Sequence, residues 1–89
     1  MTEVAIYTAA YCPYCVRAKR LLAQKGVSYR EIDVTTDDAL REKMIAASGR
    51  RTVPQIFIDG RPIGGYDELA ALEQSGELDA MLSARSDPD

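Results

Sequence analysis

The chain has no histidine and no tryptophan, and only two of its 89 residues are cysteines. Without histidine, two thiols cannot complete an ordinary four-ligand zinc site, so zinc would need carboxylates or a second subunit. Two cysteines are also too few for the several disulfides that hold small secreted scaffolds together. The composition therefore disfavours both a structural zinc site and a disulfide-stapled fold.

A strong charge of one sign and a long apolar run are also missing. The formal net charge is only −3, which argues against general binding to nucleic acid. No segment approaches the roughly 20 apolar residues that a membrane helix needs. The first residues lack the basic start of a secretory signal. We expect a monomer of the reducing cytoplasm that binds neither nucleic acid nor membrane.

The residues that are present suit a single globular domain. Apolar residues make up 46% of the chain and charged residues 28%, and the apolar ones continue to about Leu82. The last residues are polar and have little to bury. We predict one domain over residues 1–84 and a frayed polar tail over residues 85–89.

The two cysteines occur together, in the segment Cys12-Pro13-Tyr14-Cys15. An apolar run, Val4 to Tyr7, precedes this segment, and a stretch with helical spacing follows it. The thiols therefore fall at a junction between a strand and a helix. Pro13 fits the first helical position, where a missing N–H costs nothing, so Cys12 is expected at or beside the N-cap.

This placement favours redox chemistry. Unpaired N–H groups and the positive end of the helix dipole favour a thiolate at Cys12, which is then the exposed nucleophile. Cys15 lies one turn further on the same face, so we expect it to be more buried and to resolve the intermediate. A purely structural disulfide is disfavoured, because so small a loop constrains the unfolded chain little.

Hydrophobic periodicity and turn residues predict an α/β fold. We also expect a possible irregularity near Arg30, an N-cap at Thr35 or Thr36, and a final helical turn around Leu78. The predicted elements are a strand over Val4–Thr8, a helix from Pro13 to Lys25, a strand over Val27–Val34, a helix ended by Gly49, a strand over Val53–Ile58, a turn at Asp59-Gly60, an edge strand over Arg61–Gly64 and a helix from Tyr66 to Ser75-Gly76.

The order β-α-β-α-β-β-α predicts a four-stranded mixed sheet flanked by helices. The first β-α-β unit should be parallel and the last hairpin antiparallel. Pro62 fits an edge strand. Proline has no N–H to donate, and an edge strand pairs with a neighbour on only one side. This arrangement is the thioredoxin-like architecture.

Three blocks, spread over most of the chain, resemble a known family. They are Cys12-Pro13-Tyr14-Cys15, Thr52-Val53-Pro54-Gln55 and Gly64-Gly65-Tyr66-Asp67. Together they resemble a glutaredoxin, specifically the small bacterial dithiol type with a C-P-Y-C active site. The resemblance runs from about Glu3 to Leu82 and depends on all three blocks in this order.

The resemblance implies a glutathione site. It implies that the Val53–Pro54 peptide is cis, that Val53 pairs through its backbone with the cysteinyl part of glutathione, and that Gly65, Tyr66 and Asp67 receive the γ-glutamyl end. Thr52 and Pro54 belong to the same site, and Tyr14 is expected at its rim. Glutathione is the expected reducing co-substrate, and no metal is expected. Independently of the family, glycines admit a ligand close to the backbone and Asp67 suits an ammonium group.

One position departs from the family pattern. Glutaredoxins commonly carry Tyr-Thr-Lys after the first strand, whereas this chain has Tyr7-Thr8-Ala9. The cation that would meet the glycine carboxylate of glutathione is therefore missing there. We expect Arg41 to substitute, with Arg50 and Arg51 as alternatives, although Arg50 is also interpreted as a solvated surface charge.

The predicted activity is that of a glutathione-disulfide oxidoreductase. The Cys12 thiolate would reduce protein disulfides and protein–glutathione mixed disulfides, with Cys15 or glutathione resolving the intermediate. Two alternatives stay open. The protein could receive electrons from thioredoxin reductase instead, or a dimer could carry an iron–sulfur cluster through Cys12 and glutathione.

Overall fold

The structure is a computed structural model that describes residues 2–83. The predicted tail over residues 85–89 lies outside the described residues. Eight elements follow one another within the described range. They are β1 (Val4–Thr8), α1 (Pro13–Gln24), β2 (Arg30–Asp33), α2 (Asp38–Ser48), β3 (Gln55–Ile58), β4 (Arg61–Gly64), α3 (Tyr66–Ser75) and α4 (Glu77–Ser83).

The four strands form one mixed sheet in the order β2-β1-β3-β4. Strand β1 pairs in parallel with β2, and the pairs β1–β3 and β3–β4 are antiparallel. The predicted mixed sheet is confirmed, and Pro62 lies on an edge strand as expected. The predicted closing turns form a separate helix, α4. No helix in residues 2–83 is both long enough and apolar enough to cross a membrane.

Apolar side chains cover both faces of this sheet. On one face, β1 and β3 pack against α1, α3 and α4, and the buried residues are Val4, Ile6, Ala18, Leu22, Ile56, Ile58, Leu69 and Leu78. On the other face, Met44 of α2 packs against Tyr7, Val34 and Phe57. Burying one such large side chain stabilises the fold by about 1.5–3 kcal/mol. Helices α1 and α3 are therefore held side by side.

Two strands begin later along the chain than the sequence predicted. Strand β3 begins at Gln55 rather than Val53, because Pro54 has no N–H to donate to the ladder. Strand β2 begins only at Arg30, because the Val27 N–H still bonds to the Leu22 carbonyl at the end of α1.

The predicted cap of α2 at Thr35 or Thr36 is wrong. Asp37 is the N-cap, and its carboxylate accepts a hydrogen bond from the Leu40 N–H over 2.9 Å. Thr35 has a different partner, because its hydroxyl accepts a hydrogen bond from the Ala10 N–H over 2.7 Å. The threonine therefore ties the loop after β1 to the loop before α2.

The sheet register brings the cysteine segment beside the start of β3. Tyr7, near the end of β1, pairs with Gln55, the first residue of β3. The loop that leads from β1 into α1 consequently lies against residues 52–54.

Candidate active site

Cys12 is the N-cap of α1. Its backbone is extended, with φ −111° and ψ 102°, and Pro13 follows at the start of the helix. The Sγ atom accepts a hydrogen bond from the Cys15 N–H over 3.1 Å. The thiol is half-buried and lies 3.8 Å from the Val53 carbonyl oxygen. These contacts confirm the predicted N-cap.

Cys15 lies in the first turn of α1 and is only 2% exposed. Burial, assisted by its hydrogen bond with Cys12, raises the pKa of the Cys15 thiol to about 12. Cys15 therefore stays protonated at neutral pH. Both cysteines are free thiols in the structure. The buried, protonated thiol matches the predicted resolving role better than that of the first nucleophile.

The turn before Cys12 contains an unusual backbone conformation. Tyr11 has φ 60°, which L residues with a Cβ seldom adopt, and its side chain is fully exposed. Such a conformation costs on the order of 1 kcal/mol and persists only where the surroundings hold it. The bond from Ala10 to Thr35 supplies one such restraint.

The segment in front of Cys12 is held by a buried glutamine. The Val53–Pro54 peptide is cis, as the family resemblance predicted. Gln55 is 1% exposed, and its Nε2 donates to the Thr52 carbonyl over 2.9 Å and to the Thr52 hydroxyl over 3.3 Å. The sequence analysis placed Gln55 in a strand and in the block that resembles the family, but assigned no role to its side chain. A polar residue among the apolar positions of β3 was the signal for this role.

The glycine pair at the end of β4, Gly64-Gly65, places a carboxylate beneath the site. Gly64 has φ +120°, and a Cβ there would lie 2.8 Å from the Cγ of Glu68. The Oε1 of Glu68 accepts a hydrogen bond from the Gly65 N–H over 2.8 Å. This bond, together with the nearby Arg50 guanidinium, holds the pKa of Glu68 below its usual value. Sequence reasoning missed Glu68, although its position three residues after the N-cap Gly65 is typical of a capping box.

The three sequence blocks meet at one open cavity of about 190 Å³. Its lining includes seven of the residues predicted for glutathione, namely Tyr14, Thr52, Val53, Pro54, Gly65, Tyr66 and Asp67, and adds Arg50 and Glu68. The rings of Tyr14 and Tyr66 are 6.3 Å apart at one side. Asp67 is exposed in the first turn of α3. Cys12 adjoins this cavity through its contact with Val53.

Arg41 does not line this cavity. It is half-buried on α2, and its backbone N–H bonds to the Asp37 carbonyl as part of the first helical turn. Arg50 does line the cavity, and its Nη2 lies 3.3 Å from the Oε2 of Glu68. Arg41 as the replacement for the missing lysine therefore stays a prediction, and Arg50 is the cation that the fold brings to the site.

A model of the glutaredoxin family matches residues 4–63, which include the cysteine segment and the block around Pro54. The chain belongs to the glutaredoxin family. It is 56% identical to glutaredoxin 3 of Escherichia coli K12 over 82 residues, which cover 92% of this chain and 99% of that protein. It is 51% identical to a glutaredoxin of Pseudomonas aeruginosa over 84 residues, which cover 94% of this chain and all of the relative.

Solved glutaredoxin structures have the same fold. The crystal structure of a buckwheat glutaredoxin–glutathione complex superposes with a TM-score of 0.86 at 34% identity, covering 93% of this chain and 78% of the other. The solution structure of glutaredoxin from Brucella melitensis gives a TM-score of 0.82 at 52% identity, covering 92% and 89%. The fold is thioredoxin-like, as predicted.

Family membership establishes a thiol-disulfide oxidoreductase role. Cys12 and Cys15, separated by two residues, fit a C-x-x-C redox centre, and the fold leaves Cys12 half-buried and encloses Cys15. Within residues 2–83, no group of three or more metal-ligating side chains is placed to hold a metal ion.

Proposed function

We propose that this protein uses glutathione to reduce protein disulfides and protein–glutathione mixed disulfides. The observation that carries the proposal is the position of the Cys12 sulfur. It receives the Cys15 N–H and lies 3.8 Å from the Val53 carbonyl, at the edge of the cavity formed by the other two sequence blocks. A mixed disulfide on Cys12 would therefore extend into that cavity.

The polar groups of the cavity suit the parts of glutathione. The backbone of Val53 can pair with the cysteinyl part in the manner of a strand. Asp67 and the first N–H groups of α3 suit the ammonium and carboxylate of the γ-glutamyl end. The buckwheat relative, which was crystallised with glutathione, supports this proposal.

The monothiol reaction transfers glutathione through Cys12. Its thiolate attacks the glutathione sulfur of a mixed disulfide, forming a Cys12–glutathione disulfide and releasing the protein sulfur as a thiolate, which takes a proton from water. A second glutathione thiolate then attacks the bound glutathione sulfur. The products are oxidised glutathione and the Cys12 thiolate, so the enzyme is unchanged after two electrons have moved.

The dithiol reaction adds Cys15. After Cys12 forms a mixed disulfide with a protein substrate, the Cys15 sulfur attacks Cys12 and expels the reduced substrate thiol. Glutathione then reduces the Cys12–Cys15 disulfide. The extended backbone of Cys12 suits this closure, because two residues in regular helix three apart have Cβ atoms roughly 5–6 Å apart, wider than the about 3.5–4.5 Å of a disulfide.

We place this activity in the reducing cytoplasm, where thiols stay available, and we propose that the protein acts as a monomer. The partners are then glutathione and proteins that carry a disulfide or a bound glutathione. Neither nucleic acid nor membrane enters the proposal.

A coupled assay tests the proposal. Reduction of a small glutathione mixed disulfide is followed through NADPH consumption by glutathione reductase. Cys12→Ser should abolish the activity. Cys15→Ser should retain much of this reaction and lose reduction of protein disulfides. Asp67→Asn should raise the KM for glutathione, while Asp38→Asn, an equal change in the first turn of α2, should not.

Two results would replace the proposal. Reduction by thioredoxin reductase without any response to glutathione would indicate that thioredoxin reductase, rather than glutathione, is the electron donor of this protein. Anaerobic reconstitution with iron and sulfide that yields a coloured, glutathione-containing dimer would indicate a cluster carrier. A colourless monomer with glutathione-dependent activity supports the proposal.

A further inference from the structure

A second cavity borders the cysteine pair and shares no lining residue with the proposed glutathione site. It has a volume of about 420 Å³ and includes both thiols in its lining. The charged side chains that line it are Lys19, Glu31 and Asp33. Cys15 therefore borders a cavity whose charged residues differ from those of the proposed glutathione site.

Lys19 is placed toward Cys15 by the helix itself. The two residues are four apart on α1, so their side chains project from the same face with Cβ atoms roughly 5–6 Å apart. Arg20, the next residue, is exposed and lies on a different face. Lys19 is thus the α1 cation on the Cys15 side.

The ammonium group of Lys19 is held in position by the sheet. Its Nζ lies 2.9 Å from the Oε2 of Glu31 on β2. The same oxygen accepts a hydrogen bond from the hydroxyl of Thr8, a buried residue of β1, over 2.8 Å. A chain of contacts therefore runs from the sheet interior through a carboxylate to the lysine, although the ion pair itself is one-third exposed.

Both members of this pair are charged at neutral pH. The hydrogen bond to Glu31 raises the pKa of Lys19, and the bonds from Lys19 and Thr8 lower the pKa of Glu31. Tyr29 and Asp33 are the other titratable groups near the pair, and Cys12 is the other titratable group near Cys15. The Lys19 charge lowers the pKa of the Cys15 thiol, against the larger effect of burial.

We propose that Lys19 is a positioning residue for the resolving step, stabilising the negative charge that develops on the Cys15 sulfur as it attacks the mixed disulfide at Cys12. This proposal rests on the proposed function for its biological meaning. Its chemistry concerns only the dithiol step, because the monothiol reaction does not use Cys15.

The resolving step moves two electrons from the enzyme dithiol to the substrate disulfide. The Cys15 thiol loses its proton to water in the open cavity, and its sulfur forms a bond to the Cys12 sulfur. The bond between Cys12 and the substrate sulfur breaks, and its electron pair leaves with the substrate as a thiolate that water protonates. The enzyme dithiol is oxidised by two electrons and the substrate disulfide is reduced by two. Lys19 stabilises the charge and transfers no atom.

The neutral reagent 2,2′-dithiodipyridine tests the proposal without glutathione. Attack by Cys12 releases one pyridine-2-thione, and attack by Cys15 on the resulting mixed disulfide releases the second, so absorbance follows the two steps in sequence. Lys19→Met should slow the second release about tenfold, an effect of the size expected when a nearby, partly solvent-exposed unit charge is removed. The first release should change by less than about twofold.

Three matched variants distinguish loss of the Lys19 charge from a general effect on the helix or on Cys12. Lys19→Arg should restore the second release, because it restores the charge. Arg20→Met removes an equal charge from the same helix and should leave both releases unchanged. In a Cys15→Ser background, Lys19→Met should leave glutathione-dependent activity unchanged. Lys19→Gln, which can still donate to Glu31, repeats the comparison if the methionine variant folds poorly.

The outcomes separate this proposal from the proposed function. A second release that is equally fast in Lys19→Met, or equally slowed in Arg20→Met, would overturn the role of Lys19. Slowing of both releases together would do the same, because it would indicate a general effect on the helix. Absence of glutathione-dependent activity in the parent protein would contradict the proposed function while leaving the dithiodipyridine result valid.

Discussion

The backbone N–H of Cys15 donates a hydrogen bond to the Sγ of Cys12 across 3.1 Å. The residue proposed to resolve the intermediate thus also helps to hold the attacking sulfur. This arrangement follows from the N-cap geometry, in which the side chain of the cap turns back over the first turn of the helix. One sulfur is half-buried and hydrogen-bonded, and the other is enclosed by protein.

The two thiols should differ strongly in reactivity toward an alkylating agent. At mildly acidic pH, iodoacetamide should modify Cys12 at least about tenfold faster than Cys15, because Cys15 is buried and its thiol has a pKa of about 12. Mass spectrometry of peptides locates the modification. Cys12 should also react faster than the cysteine of an unstructured peptide. Equal labelling at both sites would contradict the assigned roles.

We expect replacement of Arg50 and replacement of Arg41 to have different effects on the KM for glutathione. Arg50→Gln should raise the KM for glutathione by up to about fivefold, the effect expected if exposed Arg50 forms an ion pair worth up to about 1 kcal/mol with a carboxylate of glutathione. Arg41→Gln provides the matched control, since Arg41 lies on α2 outside the cavity lining. Steady-state kinetics at low ionic strength measures both. A larger effect at Arg41 would restore the interpretation made from the sequence.

The Gly64 position should tolerate no side chain. Gly64→Ala should lower the free energy of unfolding by more than the roughly 1–2 kcal/mol of a left-handed backbone, because the new Cβ would also meet Glu68. Gly60→Ala is the control, since Gly60 has φ +81° but nothing within 4 Å of its Cβ position. Urea denaturation of both variants gives the comparison. Equal losses would indicate that Glu68 moves away freely.

Glu68 should make the stability depend on pH. Its folded-state pKa is lowered, so its stabilising effect is present above the ordinary pKa of 4.5 and is lost as the pH falls through the folded-state value. Glu68→Ala should therefore cost about 1 kcal/mol near pH 7, as expected for a lost helix cap, and less near pH 3. Urea denaturation at both values measures this. Glu42→Ala on α2 controls for helix propensity, and a loss that is constant with pH would refute the assignment.

The order of the elements and the nature of the redox pair could be predicted from local patterns in the amino-acid sequence. Alternating apolar residues, the Asp59-Gly60 turn and Pro13 before a helical stretch each act locally, so the backbone responds to them wherever the chain lies. The cis peptide before Pro54 was predictable only through the family resemblance, because local preference alone favours trans.

Which charged and polar side chains contact one another depends on the tertiary structure. Arg50 and Glu68 are 18 residues apart in sequence, and Lys19 and Glu31 are 12 apart on different elements. Arg41 and Arg50 carry the same charge, so composition could not choose between them. Which arginine lines the proposed glutathione site depends on the directions of α2 and α3 relative to the sheet. Those directions are set by packing across the whole core.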